Sequence, residues 1–137
     1  MKSLAVFLIF LSLVSCAKKS TKISLTEIVD HKDFKKLLRT KTNVLVFYTN
    51  KNTNLVGILE KVAEKVKGSG TVASINCGQD GKKLCKKLKI NLENNEYILK
   101  HYKDGEFHKD FDRLETVESL TTFMKDPKGN FLLFLSS

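Results

Sequence analysis

Segments with a strand-like spacing of apolar residues alternate with helix-like segments along most of this chain. Residues 43–48, NVLVFY, form a continuous apolar run, as expected for a central strand that is buried on both faces. Residues 54–67 place apolar side chains three or four positions apart, which indicates an amphipathic helix. Gly68 and Gly70 are typical of a helix end, and TVASIN at 71–76 predicts the next strand.

The second half of the chain has clear turn and helix-boundary signals between its elements. Asp104-Gly105 is a strong signal for a hairpin. Thr116 is a candidate N-cap for a final helix, and Pro127 follows as a stop signal. In chain order, the predicted strands are 23–25, 43–48, 71–76, 97–102 and 106–111, and the predicted helices are 33–38, 54–67, 80–88 and 116–125.

This order of elements predicts a single α/β domain over residues 22–126. Strands that are joined by helices imply a parallel portion of the sheet with right-handed crossovers. The hairpin adds an antiparallel portion. We therefore expect a mixed sheet of four to five strands with helices on both faces, which resembles the order of elements in thioredoxin.

Both ends of the chain fall outside this pattern. Residues 1–17 combine a positive start, an eleven-residue apolar run and small residues before a cleavage site, which is typical of a secretory signal peptide. The run is too short for a membrane span, which needs about 20 residues. Cys16 could alternatively be the lipidated cysteine of a bacterial thioredoxin-like lipoprotein. Residues 127–137 are expected to form a short irregular apolar tail.

Positive charge is the main compositional bias of the 137 residues, with a formal net charge of +9. Such a charge attracts nucleic acid, anionic lipid or an acidic protein. Five lysines concentrate it in the third predicted helix: Lys82, Lys83, Lys86, Lys87 and Lys89. They predict either a solvated helix face or a docking surface for an acidic partner. Nucleic acid is disfavoured by the signal peptide and by the lack of interleaved aromatic residues.

Cleavage after residue 17 would leave two cysteines, Cys77 and Cys85, in an oxidising compartment. An even count favours a structural disulfide, with a pair of buried thiols or a redox-active pair as alternatives. Neither cysteine is expected at a helix start, where a thiol would be activated. The three histidines lack metal-ligand spacing, so we expect no metal and no cofactor, and His101 and His108 are expected to be exposed on the hairpin.

Five blocks of sequence, in this order, resemble the protein disulfide isomerase family. They are DFKKLLRTKTNVLVFY (33–48), KVKGSGTVASINCG (65–78), KKLCKKLKINL (82–92), LKHYKDGEFHKDFDR (99–113) and FMKDPKG (123–129). The resemblance is to the N-terminal, non-catalytic domain of a member that continues into three catalytic domains. It implies a thioredoxin-like fold, the endoplasmic reticulum lumen and a role in secretory protein folding. Because this chain ends soon after residue 129, we expect a short form or an incomplete gene model.

The catalytic motif of that family is absent from this chain. Family active sites read FYAPWC-x-x-C after the central strand, and here Phe47-Tyr48 match but no cysteine follows. The resemblance makes Asn52 and Leu55 degenerate active-site positions. Without a thiolate there is no attacking group for disulfide exchange.

Supporting residues of the family's site are also replaced. The resemblance places its cis-proline at Tyr97, another degenerate position, and its buried glutamate at Val46. A family arginine does match, at Arg113, where we expect a surface or loop-packing role.

These observations predict a redox-inactive binding module that is monomeric and has no membrane span. By resemblance, its partners are acidic lumenal chaperones of the calreticulin or calnexin type, or folding clients. The expected location is the endoplasmic reticulum lumen, or outside the cell because the sequence does not end in a retention signal. The alternatives are a thiol-disulfide oxidoreductase that uses Cys77 and Cys85, and the lipoprotein.

Overall fold

The NVLVFY run forms the middle strand of a five-stranded mixed sheet, which confirms the expected fold class. The computed structural model describes residues 25–51 and 53–129. The predicted signal peptide, Cys16, Asn52 and residues 130–137 of the predicted tail lie outside the described residues. The elements in chain order are β1 (Thr26–Glu27), α1 (His31–Thr40), β2 (Asn43–Thr49), α2 (Leu55–Lys65), β3 (Thr71–Asn76), α3 (Lys82–Lys87), β4 (Tyr97–Lys103), β5 (Glu106–Asp110) and α4 (Val117–Lys125).

The sheet has the order β1-β3-β2-β4-β5, with a parallel and an antiparallel half. β1 and β2 both pair with β3 in parallel, whereas β4 pairs antiparallel with β2 and with β5. β1 lies slightly later than the predicted strand at 23–25 and is only two residues long. The predicted hairpin is present, and its turn residues Asp104 and Gly105 both have positive φ, at 51° and 89°. Such a pair of angles suits the twist of the two strands that the turn connects.

Helices cover both faces of the sheet because the side chains of β2 alternate between two apolar clusters. Val44, Val46 and Tyr48 pack on one face with residues of α1 and α3. Leu45 and Phe47 pack on the other face with residues of α2 and α4. Every residue of β2 except its first is buried, as the sequence predicted for a central strand.

The helix ends follow the local chemistry of the sequence. Thr116 is the N-cap of α4, as predicted, and its side chain accepts a hydrogen bond from the backbone N–H of Ser119 at 3.1 Å. Two residues beyond the end of α3, Lys89 lies in the left-handed region, at φ 59°. The backbone N–H of Ile90 then bonds the Cys85 carbonyl at 2.9 Å, and that of Lys89 bonds the Lys86 carbonyl at 3.1 Å. This paired arrangement satisfies the carbonyls of the last turn and turns Ile90 back toward the core.

His101 is fully buried, so the expectation that it is exposed was wrong. Asn43 donates its side-chain N–H groups to the carbonyls of Met124 at 2.9 Å and Ser69 at 3.2 Å, which leaves its oxygen as an acceptor. Nε2 of His101 donates to that oxygen at 2.6 Å. Nδ1 of His101 is therefore unprotonated and accepts from Nδ1 of His108 at 3.1 Å.

An irregularity in the hairpin brings the two histidines together. The pairing of β4 with β5 shifts between His101 and Tyr102, so that His108 has no partner opposite it in the ladder. An extra residue of this kind re-aims side chains that would otherwise alternate strictly between the two faces. Periodicity in the sequence does not reveal such a shift. The sequence therefore did not predict that the two histidines meet in a buried contact.

We predict that the buried histidine makes folding stability depend on pH. Desolvation first, and then the charges of His108, Lys103 and Lys109, lower the pKa of His101 to about 4. Because an unfolded chain would bind the proton near pH 6.5, stability is full above that value and falls as the pH drops toward 4. The complete loss, reached below pH 4, amounts to about 3 kcal/mol in the free energy of unfolding, and about 2 kcal/mol of it falls between pH 7 and pH 5.

Urea unfolding between pH 7 and pH 5 measures this dependence, over a range in which carboxylates titrate little. The variant His101→Leu should be less stable at pH 7, since Asn43 loses a hydrogen-bond donor, but its stability should vary less with pH. His31→Gln is the control, because His31 lies outside the Asn43 network and the variant should keep most of the parent's slope. An unchanged slope in His101→Leu would show that another group carries the pH dependence.

Candidate functional site

The loop between β2 and α2, where the resemblance places the catalytic cysteines, holds no thiol. The backbone N–H of Leu55, at the start of α2, bonds the hydroxyl of Thr53 at 3.2 Å. The Leu55 side chain is buried in the cluster beneath α2 and α4. This degenerate position therefore contributes to the core and presents no reactive group to solvent.

Tyr97, the residue at the predicted cis-proline position, faces the end of β2. It is the first residue of β4, pairs with Thr49, and its ring centroid lies 5.8 Å from that of Phe47. Burial, and then a hydrogen bond with Glu115, raise the pKa of Tyr97 to about 12. The phenol thus remains protonated at neutral pH and offers packing in place of acid–base chemistry.

Val46, at the predicted position of the family's buried glutamate, is fully buried and apolar. The hydroxyls of Tyr48 and Tyr102 lie 2.5 Å apart in the same cluster. Burial raises the pKa of both tyrosines, so neither carries charge near neutral pH. The interior at this place therefore lacks the proton-transfer group that the family's catalytic domains use.

The two cysteines of the described part form a disulfide, Cys77 with Cys85, and their Cα atoms are 5.5 Å apart. Cys77 directly follows β3, is half-buried, and donates its backbone N–H to the Thr49 carbonyl at 2.6 Å. Cys85 lies inside α3 and is only 3% exposed. The disulfide thus ties the end of β3 to α3, immediately beside the end of β2.

Gly78 allows this region to lie close to the loop that follows β2. A Cβ atom on Gly78 would come within 2.8 Å of the Asn50 carbonyl oxygen, so any other residue would push the two loops apart. The disulfide is consequently a neighbour of the place where the family's catalytic cysteines would be, although it is attached to different elements.

The five predicted lysines of the cluster are all exposed, on two flanks of α3 and just beyond its end. Lys82 and Lys86 border the disulfide. On the other flank, the charge of Lys87 is close enough to His31 to lower its pKa, after the larger effect of desolvation. Each ion pair found in the described part of the chain involves other cations, so none neutralises these five lysines there.

Arg113 has a packing role whose details the sequence did not reveal. Its guanidinium donates to the backbone carbonyls of Asp126, Pro127 and Gly129, the last at 2.7 Å. It also lies over the ring of Phe123, 5.2 Å from the ring centroid. Arg113 therefore holds the segment after α4. The sequence indicated only that α4 ends before Pro127, where the last carbonyls of the helix need hydrogen-bond donors from elsewhere.

Other kinds of site find no support within residues 25–51 and 53–129. Within those ranges, no group of three or more histidine, cysteine or acidic side chains is arranged so that it could hold a metal ion. No helix in those ranges is long and apolar enough to cross a membrane.

Comparison of the sequence with known proteins identifies relatives of high similarity, among them the same protein from two mammals. No protein-family model matches the chain. It is 46% identical to protein disulfide-isomerase A5 of Mus musculus in an alignment of 118 residues that covers 80% of this chain and 23% of that protein. It is 42% identical to protein disulfide-isomerase A5 of Bos taurus in an alignment of 132 residues that covers 92% of this chain and 25% of that protein. The chain spans about a quarter of the length of these curated relatives.

Comparison of the structure identifies the fold. Human ERp44 in crystal form I gives a TM-score of 0.65 at 14% identity, over 90% of this chain and 35% of that one. The J-Trx1 fragment of ERdj5 gives 0.62 at 18% identity, over 75% of this chain and 51% of that one. A mutant thioredoxin from Halobacterium salinarum gives 0.61 at 14% identity, over 82% of this chain and 98% of that one. The chain is therefore a thioredoxin-like domain that is homologous to part of protein disulfide-isomerase A5.

Proposed function

We propose that this chain is a redox-inactive protein-binding module of a protein disulfide isomerase in the endoplasmic reticulum lumen. It corresponds to an N-terminal, non-catalytic domain of such an enzyme. It assists secretory protein folding by docking acidic lumenal chaperones of the calreticulin or calnexin type, or acidic folding clients. The docking surface consists of Lys82, Lys83, Lys86, Lys87 and Lys89.

The observation that carries this proposal is that one end of the sheet lacks the family's catalytic cysteines and has a concentration of exposed positive charge. The loop after β2 has no cysteine to act as the nucleophile of disulfide exchange, so the surface of the fold is what remains for function. Five exposed lysines lie within eight residues nearby. A concentrated charge of this kind raises the rate of encounter with an oppositely charged protein, and salt weakens the effect.

A thiol-disulfide oxidoreductase is a second candidate, because Cys77 and Cys85 form a disulfide whose Cys77 is partly accessible. Two observations favour the binding module over it. Cys85 is buried inside α3, and neither sulfur sits at the start of a helix, where backbone N–H groups would stabilise a thiolate. As a structural bridge that closes so short a loop, the disulfide would contribute roughly 2.5 kcal/mol to stability by the chain-entropy relation, a value that the variants below can test.

Reversing four lysines, Lys82, Lys83, Lys86 and Lys87, to glutamate should weaken binding to an acidic chaperone strongly. We expect a loss of about tenfold or more in affinity at about 50 mM salt, since attraction becomes repulsion where screening is weak. The fold should be retained because these side chains point to water. Titration calorimetry at two salt concentrations measures the effect, and the parent's affinity should fall as salt rises.

A matched control reverses four exposed lysines on the opposite face of the sheet, Lys61, Lys65, Lys67 and Lys125. This control changes the net charge by the same amount, so it separates a local docking surface from a general effect of charge. Unchanged affinity in the α3 variant, or an equal loss in both variants, would contradict docking through α3.

The chain should not catalyse thiol exchange. In an insulin-reduction assay with dithiothreitol, we expect the rate to equal that of the uncatalysed reaction for both the parent and Cys85→Ser. Chemical denaturation should show that Cys85→Ser is less stable by about 2.5 kcal/mol, the value expected for a structural bridge. An insulin-reduction rate above background that Cys85→Ser abolishes would establish the oxidoreductase instead.

A further inference from the structure

A groove with a volume of 390 Å³ runs beside the Cys77–Cys85 disulfide. Lys82 and Lys86 of α3 form one of its walls, and the segment that leads from α3 to β4 forms the other. The loop after β2 closes one end at Asn50. The groove therefore lies where the protein has both its disulfide and part of its concentrated positive charge.

The lining of the groove is mainly apolar. The disulfide, Ile90 and Leu92 provide this surface, and Glu93 adds one carboxylate to the wall opposite the lysines, so carboxylates of a partner must lie on the lysine side. Ile90 packs against the core on the α1 and α3 side, whereas Leu92 is half-buried and belongs to neither core cluster. An apolar surface that the fold itself does not cover gains free energy when another apolar side chain removes it from water.

Local hydrogen bonds hold Leu92 in place at the wall. The side chain of Asn91 accepts the backbone N–H of Glu93 at 2.8 Å. The carbonyl of Leu92 accepts the backbone N–H of Asn95 at 3.3 Å. These two turns fix the backbone on either side of Leu92, so the wall is built before any partner arrives.

The two flanks of α3 differ in their relation to the groove. Lys82 and Lys86 line it, but Lys83 and Lys87 do not. Positions 82 and 86 lie within about 40° of each other around a helix, and positions 83 and 87 lie roughly 100° further round. The first pair is therefore better placed to contact a partner that has an apolar side chain in the groove.

We propose that the groove binds an extended segment of a protein partner in which carboxylates flank an apolar side chain. The apolar side chain lies against the disulfide and Leu92, and the carboxylates pair with Lys82 and Lys86. This inference rests on the proposed function, since it assigns the chemistry of the partner that docks at the lysines. It adds that an apolar residue, and not charge alone, determines which acidic segment is bound.

The composition of the groove selects this occupant over other anionic or apolar partners. None of its lining residues is aromatic, so nucleic-acid bases would find no ring on which to stack. A second copy of this chain would bring a further net charge of +9 to a basic wall. An acidic peptide with an apolar residue satisfies both the lysines and the uncovered apolar surface.

Two synthetic peptides test the inference, one with a leucine flanked by three glutamates on each side and one with serine in place of that leucine. Fluorescence anisotropy with labelled peptides should show that the leucine peptide binds the parent chain at least about fivefold more tightly, the gain expected from burying one apolar side chain. Leu92→Ser should remove most of this difference and leave the binding of the serine peptide nearly unchanged.

Paired charge reversals provide a matched control. Lys82→Glu with Lys86→Glu should weaken binding of the leucine peptide by about tenfold or more, whereas Lys83→Glu with Lys87→Glu should weaken it less than about threefold. The two variants have the same net charge. Thermal unfolding of every variant should match that of the parent, because all of these side chains lie outside the two core clusters.

Three results would overturn the inference: equal affinity of the parent for both peptides, no effect of Leu92→Ser on the leucine peptide, or equal losses in the two paired reversals. In each case the proposed function would still stand if the fourfold lysine variant lost affinity for the acidic chaperone. Retained chaperone binding by the fourfold variant would instead reject docking through α3 altogether.

Discussion

The burial of β2 on both faces is the constraint on which the rest of the structure depends. Its side chains alternate between the cluster beneath α1 and α3 and the cluster beneath α2 and α4. Each fully buried valine, leucine or phenylalanine contributes about 1.5–3 kcal/mol. Because β2 also bonds β3 on one side and β4 on the other, a polar substitution at Val46 or Phe47 would disturb both a core and the sheet.

The end of β2 also determines where function can reside. In the thioredoxin-like fold a thiol would lie on the loop that follows this strand, and this chain has none there. What the chain has at that end of the sheet is a disulfide from the end of β3 to α3, an uncovered apolar wall and exposed lysines. In the proposed function, this edge of the sheet positions a surface for recognition in place of a reactive group.

Sequence patterns predicted the elements well where the signal was local. The NVLVFY strand, the Asp104-Gly105 turn and the Thr116 cap depend on neighbouring residues alone, and all three are present. Features that depend on distant residues were missed. His101 is buried because a register shift and the amide of Asn43, 58 positions away in the chain, give its ring hydrogen-bond partners.

The candidate site shows the same division between local and distant determinants. Helical spacing placed Lys82 and Lys86 on one flank, but it could not show that Leu92 and Asn50 complete a groove there. That proximity requires Gly78 to admit the loop after β2 and the turn at Lys89 to redirect the chain after α3. Arg113 likewise acquires its partners only when the segment after α4 folds back onto it.

Chemical-shift mapping with an acidic lumenal chaperone tests the central claim most directly. The account holds that binding occurs at the end of the sheet occupied by α3 and the disulfide. Amide shifts should therefore concentrate at residues 82–89, Cys77 and Leu92, with α2 and α4 unaffected. Shifts concentrated on α2 and α4, or none at a saturating concentration of the chaperone, would contradict the account.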